Sequence, residues 1–334
     1  MSAAPLIVPL GREATMPPER RGLVRDEVRL LVSDRAARRH ADRSFRDLPL
    51  LLRCGDLLVA NDSGTLPAAL TAHRADGTAL DVHLSARIAE GRWIVEPRAT
   101  LVAAGERADL PEGAQVTFVA PVDAGNLRLW YATIAAPLPF AAFLARVGRP
   151  IRYGYVGEAF PLDDYQTIFA RMPGSAEMPS AGRPFSARVV DGLAAAGVRI
   201  ATLTLHAGVS SAERRERPMR EPFRVPASTA SAVNETRLRG GRVIAIGTTV
   251  VRALESAARR GAAVAAGGWT DLIVTPERGV ALVDGLLTGF HEPEASHLDL
   301  LRAFLDDAAL RAAYIHAADS GYLWHEFGDL HLVL

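Results

Sequence analysis

Arg242–Glu255 reads RVIAIGTTVVRALE, and this stretch decides the fold. A short apolar run, Val243–Ile246, ends at Gly247. Two threonines follow, and then Val251, Leu254 and Ala258 recur at helical spacing. The pattern predicts strand, tight turn, helix. It places Thr248 or Thr249 where a hydroxyl can cap the free N–H groups of a helix start. Those same groups, with the helix dipole, can hold a carboxylate or a phosphate. Arg252 lies about one turn into the helix and brings a guanidinium to that end. Glu255 follows three residues later, where it can pair with Arg252 on one helix face.

Strands and helices alternate on either side of this unit. A helix near Ser186–Ala195 precedes a strand at Arg199–Leu205. A helix near Ser228–Arg239 precedes the Arg242–Ile246 strand. A helix over Thr249–Arg260 leads to a strand at Asp271–Val274. Ala295–Leu305 and Asp307–Ala318 read as two final helices, and Leu330–Leu334 as a last strand. Nearer the start, Val28–Ser33 and Asp56–Asn61 read as buried strands, with a short helical piece near Asp47–Leu52. Such an order indicates a mixed or largely parallel sheet with helices packed on it. Between about Ala68 and Ala135 the pattern changes to short alternating runs (LDVHLSAR, RWIVEPRA, AQVTFVA, LRLWYATI) separated by Gly-bearing turns. These predict a small β-barrel or sandwich. The expected class is therefore α/β with two domains: a mixed-sheet domain formed by both chain ends, 1–65 and 139–334, and an inserted small β-barrel at 66–138.

Composition narrows the function classes. The chain has 334 residues, 49% apolar and 23% charged, with zero net charge, which fits globular protein without global attraction to nucleic acid. No apolar run approaches the roughly 18 residues of a membrane span, so no membrane partner is expected. Every basic residue is arginine, and the densest group is Arg214, Arg215, Arg217, Arg220 and Arg224. That group reads as a solvated loop or as a contact to RNA phosphates. The single cysteine, Cys54, excludes an intramolecular disulfide framework and makes a cytoplasmic location the default. No metal site is expected, because no Cys/His/Glu spacing fits a tetrahedral ligand set. No Gly-rich dinucleotide or P-loop pattern follows a strand, and no G-x-S-x-G elbow occurs.

Further blocks surround the Gly247 turn. They are RDEVRLLVSDR (Arg25–Arg35), LRCGDLLVANDS (Leu52–Ser63), DYQTIFA (Asp164–Ala170), GSAEMPSAGRPF (Gly174–Phe185), LTLHAG (Leu203–Gly208) and DGLLTGFHEP (Asp284–Pro293). In this order, and over nearly the whole chain, they resemble the S-adenosylmethionine:tRNA ribosyltransferase-isomerase family of queuosine biosynthesis. The resemblance implies a reaction in which S-adenosylmethionine donates its ribosyl part. The acceptor is the aminomethyl group of a 7-deazaguanine in tRNA, and adenine and methionine are released. The sulfonium acidifies the adjacent ribose 5′ carbon; a base removes a proton, adenine leaves, the amine attacks and the ring recloses. S-adenosylmethionine is thus a ribosyl-donor substrate, and the expected partner is tRNA or a small amine acceptor.

Matching positions supply the candidate residues. His206, at a strand end, is a natural acid or base. His291 can act likewise or fix a loop. Asp62 and Asp284 can bind ribose hydroxyls or orient a histidine, although Asp62 can also form an Asx turn. Thr248, Thr249 and Arg252 are candidates for the methionine carboxylate or a phosphate. Tyr165 and Gln166 can stack on and hydrogen-bond a purine-like ring, or belong to the core.

The chain departs from the family pattern in several places. Asn-Asp-Thr followed by a basic residue becomes Asn61-Asp62-Ser63-Gly64. GLHF becomes Gly182-Arg183-Pro184-Phe185. His-x-Met-His-Glu becomes Arg217-Pro218-Met219-Arg220-Glu221. Histidines are thereby replaced by groups that exchange no proton near neutrality. These changes point to a divergent paralogue, with either altered chemistry or a non-catalytic RNA- or nucleoside-binding role.

Overall fold

Leu57–Asn61 (LLVAN) and Val243–Ile246 (VIAI) are apolar at almost every position, the composition of strands covered on both faces. They lie side by side in parallel at the centre of a mixed sheet. The computed structural model describes residues 11–209, 219–290 and 297–334. Among these, nine strands form the sheet, in the order Ala266–Thr270, Glu221–Val225, Arg199–Leu205, Leu57–Asn61, Val243–Ile246, Gly285–Gly289, Leu330–Val333, Arg29–Asp34, Arg39–Ser44. Four consecutive members are mutually parallel: Arg199–Leu205, Leu57–Asn61, Val243–Ile246 and Gly285–Gly289. Their carboxyl ends, Leu205, Asn61, Ile246 and Gly289, therefore share one edge.

Alternation along the strands divides the core into two layers. Leu57, Val59, Val243 and Ala245 face one hydrophobic cluster with Val251 and Leu254 of the helix Thr248–Ser256. Leu58, Ala60, Ile244 and Ile246 face another with Phe185, Val189 and Leu193 around the helix Ala187–Ala195. Because side chains alternate with period two, a one-residue slip would exchange the two layers, so the register is set by both at once.

Six strands between residues 69 and 135 close into a separate barrel, with Val82, Leu84, Trp93, Val95, Phe118 and Trp130 in its core. The barrel touches the end of the Arg199–Leu205 strand. Ser85 Oγ accepts the Val209 N–H at 3.1 Å and donates to Met219 Sδ at 3.6 Å.

The main differences from expectation are local. The helix after Gly247 stops at Ser256 rather than Arg260. Ala258–Arg259 instead pairs with Ala262–Ala263 across Arg260 and Gly261, whose φ values are 50° and 78°. Two consecutive left-handed residues make a tight hairpin turn, which no helix can continue through. The next strand is Ala266–Thr270, not Asp271–Val274. Glu221–Val225 and Gly285–Gly289 are strands that the sequence pattern did not assign. Among the described residues no helix is long and apolar enough to cross a membrane.

Candidate active site

The carboxyl edge of the parallel strands gathers the blocks that the sequence sets apart. Asn61 closes the central strand and ties it to both neighbours. Its Oδ1 accepts the N–H groups of Leu205 (3.0 Å) and Ser63 (3.1 Å). Its Nδ2 donates to Leu205 O at 2.7 Å and to Thr249 Oγ1 at 3.4 Å. One buried amide thus links Leu203–Gly208, Leu52–Ser63 and the turn after Gly247.

His206 stands at the centre of this edge. Its Nδ1 is 2.7 Å from Ser63 Oγ, and Ser63 Oγ is 2.6 Å from Ser175 Oγ. Ser175 Oγ also accepts the Ala207 N–H at 2.9 Å, which leaves two orientations for the hydroxyls. In one, Ser175 donates to Ser63 and Ser63 to Nδ1, so Nε2 carries the ring proton. In the other, Nδ1–H donates to Ser63 and Ser63 to Ser175, so Nε2 presents its lone pair. Nε2 has no protein partner among the described residues. Burial lowers the pKa of His206, opposed by the charge of Asp62, so the ring is neutral at physiological pH. Asp62 Oδ1 accepts a hydrogen bond from Thr204 Oγ1 at 2.7 Å.

Gly174 packs flat against the same ring. A methyl group there would meet His206 Cε1 and Nδ1 at 2.5 Å, so glycine alone admits the imidazole in this position.

The turn after Gly247 is built differently from expectation. Gly247 itself is the helix boundary, at φ 93° and ψ 154°, and no side chain caps the helix. That conformation is open essentially to glycine only. Thr248 is buried and Thr249 half-buried in the first turn, and Ala181 of the PSAGRPF segment approaches Gly247. The first N–H groups of the helix consequently face this edge without a side-chain cap.

Other expected residues sit elsewhere. Arg252 is buried and reaches away from the turn. It donates through Nε to Leu272 O at 3.0 Å, through Nη2 to Met219 O at 3.0 Å, and through Nη1 to Glu221 Oε2. Glu221 Oε1 in turn accepts the Gly208 N–H at 2.9 Å. Arg252 and Glu255 do not pair. Glu255 instead accepts the N–H groups of Ala281 and Leu282 and meets Arg278 at 3.3 Å. Asp284 precedes its strand and so lies at the opposite end of the sheet, accepting the Val243 N–H at 2.9 Å. Tyr165 is 2% exposed and packs on Phe327. Gln166 is bound to both backbone groups of Thr65, at 3.0 and 2.8 Å. His291 lies outside the described residues, as do Arg214, Arg215 and Arg217; Arg220 and Arg224 are exposed. Ser63, Ser175, Asn61 and Glu221 were not singled out from sequence, although each stands inside or beside a quoted block. Among the described residues no group of three or more His, Cys, Asp or Glu side chains is arranged to hold a metal ion.

Comparison with known proteins places this geometry in a lineage. A family model described as queuosine biosynthesis protein matches residues 7–333. The S-adenosylmethionine:tRNA ribosyltransferase-isomerase of Gloeobacter violaceus is 40% identical over 321 residues, covering 93% of this chain and 90% of its own. That of Acidithiobacillus ferrooxidans is 38% identical and covers 92% of each chain. The crystal structure of S-adenosylmethionine tRNA ribosyltransferase from Thermotoga maritima aligns with a TM-score of 0.57 at 28% identity, over 99% of both chains.

Proposed function

The chain belongs to the queuosine biosynthesis protein family, and from that premise we propose that it is an S-adenosylmethionine:tRNA ribosyltransferase-isomerase. It transfers the ribosyl part of S-adenosylmethionine to a 7-aminomethyl-7-deazaguanine in tRNA, giving epoxyqueuosine with release of adenine and methionine. With tRNA as its partner, its place is the cytoplasm. The barrel, at 66–138, is read as an inserted domain on the sheet domain formed by 1–65 and 139–334.

The observation that carries the mechanism is the His206–Ser63–Ser175 array. The reaction needs a base that takes a proton beside the sulfonium and a donor that returns one. A neutral imidazole meets the first need, with Nε2 presenting its lone pair. Once Nε2 holds the proton the ring is an imidazolium whose Nδ1–H still donates to Ser63; handing the Nε2 proton to the departing adenine restores the neutral base without moving the ring. Asp62, 2.7 Å from Thr204, favours the transient imidazolium. The backbone N–H groups of Thr248 and Thr249, at the uncapped helix start, take the methionine carboxylate. Arg252 acts as a positioning residue. Through Glu221 it holds the Gly208 N–H and hence the segment that follows His206. Preorganised groups of this kind cost no rearrangement as charge develops. Where the family pattern has titratable groups this chain carries Arg217 and Arg220, which exchange no proton near neutrality; among the described residues His206 is the proton carrier of this reading.

The test is adenine release from S-adenosylmethionine, with and without tRNA bearing the aminomethyl base, in the wild type and in His206→Gln. Release that needs both tRNA and His206 is expected. Unchanged release in His206→Gln would remove His206 from the mechanism.

A further inference from the structure

A second group of polar atoms, with no part in the array, is joined to the carboxyl edge through Phe290. Tyr153, Tyr155 and His325 form a stack, with ring centroids 5.6 Å apart for the tyrosines and 4.4 Å for Tyr155 and His325. His325 has φ 71°, and its N–H donates to Phe290 O at 3.2 Å. The stack is therefore pinned to the residue that follows Gly289, on the carboxyl edge of the sheet. Tyr153 also lies close to Glu177 and Glu326. Glu177 is two residues beyond Ser175, within about 7 Å along the chain.

Two solvent-sealed oxygens in this group have no hydrogen-bond partner among the described residues: Tyr155 Oη and Glu326 Oε2. The nearby guanidiniums bond to other groups, although Arg21 Nε is itself sealed without a partner among the described residues. Arg21 donates to Phe327 O at 2.8 Å, and Arg183 donates to Asp164 O and Glu19. Sealed polar atoms without partners are costly and call for an explanation. A carboxyl group with no counter-ion among the described residues, close to the Tyr153 ring, is complementary to an organic cation.

We propose that Tyr153, Tyr155, His325 and Glu326 form a subsite for the ammonium of the acceptor amine, with Glu326 as its counter-ion. This rests on the reading above that the acceptor is an amine. An aliphatic amine is protonated at neutral pH, so it arrives as a cation. Burial pushes the Glu326 carboxyl up to about 7, so the counter-charge forms across the neutral range. The other titratable and charged groups around it are Tyr153, Glu177 and His325, with Arg21 and Arg183 behind Phe327.

The experiment compares the affinity of the protein for two tRNAs, one carrying 7-aminomethyl-7-deazaguanine and one carrying the neutral 7-methyl counterpart, at pH 6 and pH 8. The affinity ratio cancels contributions common to both tRNAs. The wild type prefers the amine, and the preference grows up to about tenfold from pH 6 to pH 8, as a carboxyl titrating near 7 requires. In Glu326→Gln the ratio falls towards one at both pH values, while thermal melting and S-adenosylmethionine binding stay as in the wild type. An equal ratio in wild type and Glu326→Gln, or no preference in the wild type, overturns the subsite. Absence of S-adenosylmethionine binding in the wild type would instead overturn the functional reading on which it rests.

Discussion

Gly174→Ala adds one methyl group and removes no chemistry, so its effect isolates the placement of His206. The new Cβ would stand 2.5 Å from Cε1 and Nδ1 of the imidazole and 2.7 Å from Cγ. Carbon atoms rest at about 3.5–4.0 Å, so the ring must retreat by roughly 1 Å. Its bond to Ser63 is 2.7 Å long, and a shift of that size breaks or badly tilts it. A misplacement of about 1 Å lowers a catalytic rate by about 100-fold. Overpacking of this kind also costs about 1–3 kcal/mol of stability. The assay is tRNA-dependent adenine release under saturating substrates, with a thermal melt of the same preparation. Gly157→Ala is the control, because nothing lies within 4 Å of a methyl group there. A folded Gly174→Ala protein with turnover within threefold of wild type would refute the placement of His206 at the centre of the reaction.

Three further outcomes follow from the same geometry. Arg252→Met leaves Glu221 buried without its partner and should cost about 3–5 kcal/mol in denaturant unfolding; adding Glu221→Gln should recover part of that loss. Asp284→Asn should leave kcat/KM unchanged and lower stability by about 1 kcal/mol or less, since the carboxylate serves the Val243 N–H at the far end of the sheet; a tenfold loss of activity in a folded protein would place it in the site after all. His331, fully buried, has its pKa pushed down to about 3 by burial and by the charge of His40. The unfolded chain binds that proton from about pH 6.5 downward and the folded chain does not, so stability is full above 6.5 and declines as pH falls towards 3. At pH 5 the loss is about 2 kcal/mol, and the slope of unfolding free energy between pH 5 and 7 should be shallower in His331→Asn.

Much of the fold is legible in the sequence because the central strands are covered on both faces. VIAI before Gly247 and ANDS after LLV announce buried strands ending in turns, and the carboxyl edge follows from their parallel order. Elements away from the sheet's centre are less legible. Glu221–Val225 carries a proline and two charged residues, which local preference does not read as a strand; its antiparallel neighbours on either side make it one. His206 and the two threonines announce themselves by position after apolar runs. Ser63 and Ser175 do not, since they become partners only when residues 112 apart meet. Arg252 misleads for a related reason. Its place one turn past a glycine fits a ligand clamp, but Glu221 and the Met219 carbonyl reach it first. Glu326 carries no sequence signal at all; its interest comes from burial without a partner.

The most direct measurement follows the ribose itself. The protein is incubated with S-adenosylmethionine labelled with carbon-13 in the ribose, and with tRNA bearing the aminomethyl-deazaguanine. The tRNA is then digested and its nucleosides are weighed. The account predicts a labelled epoxyqueuosine in amounts equal to the adenine released. Adenine release with unlabelled tRNA, or no release at all, would contradict it.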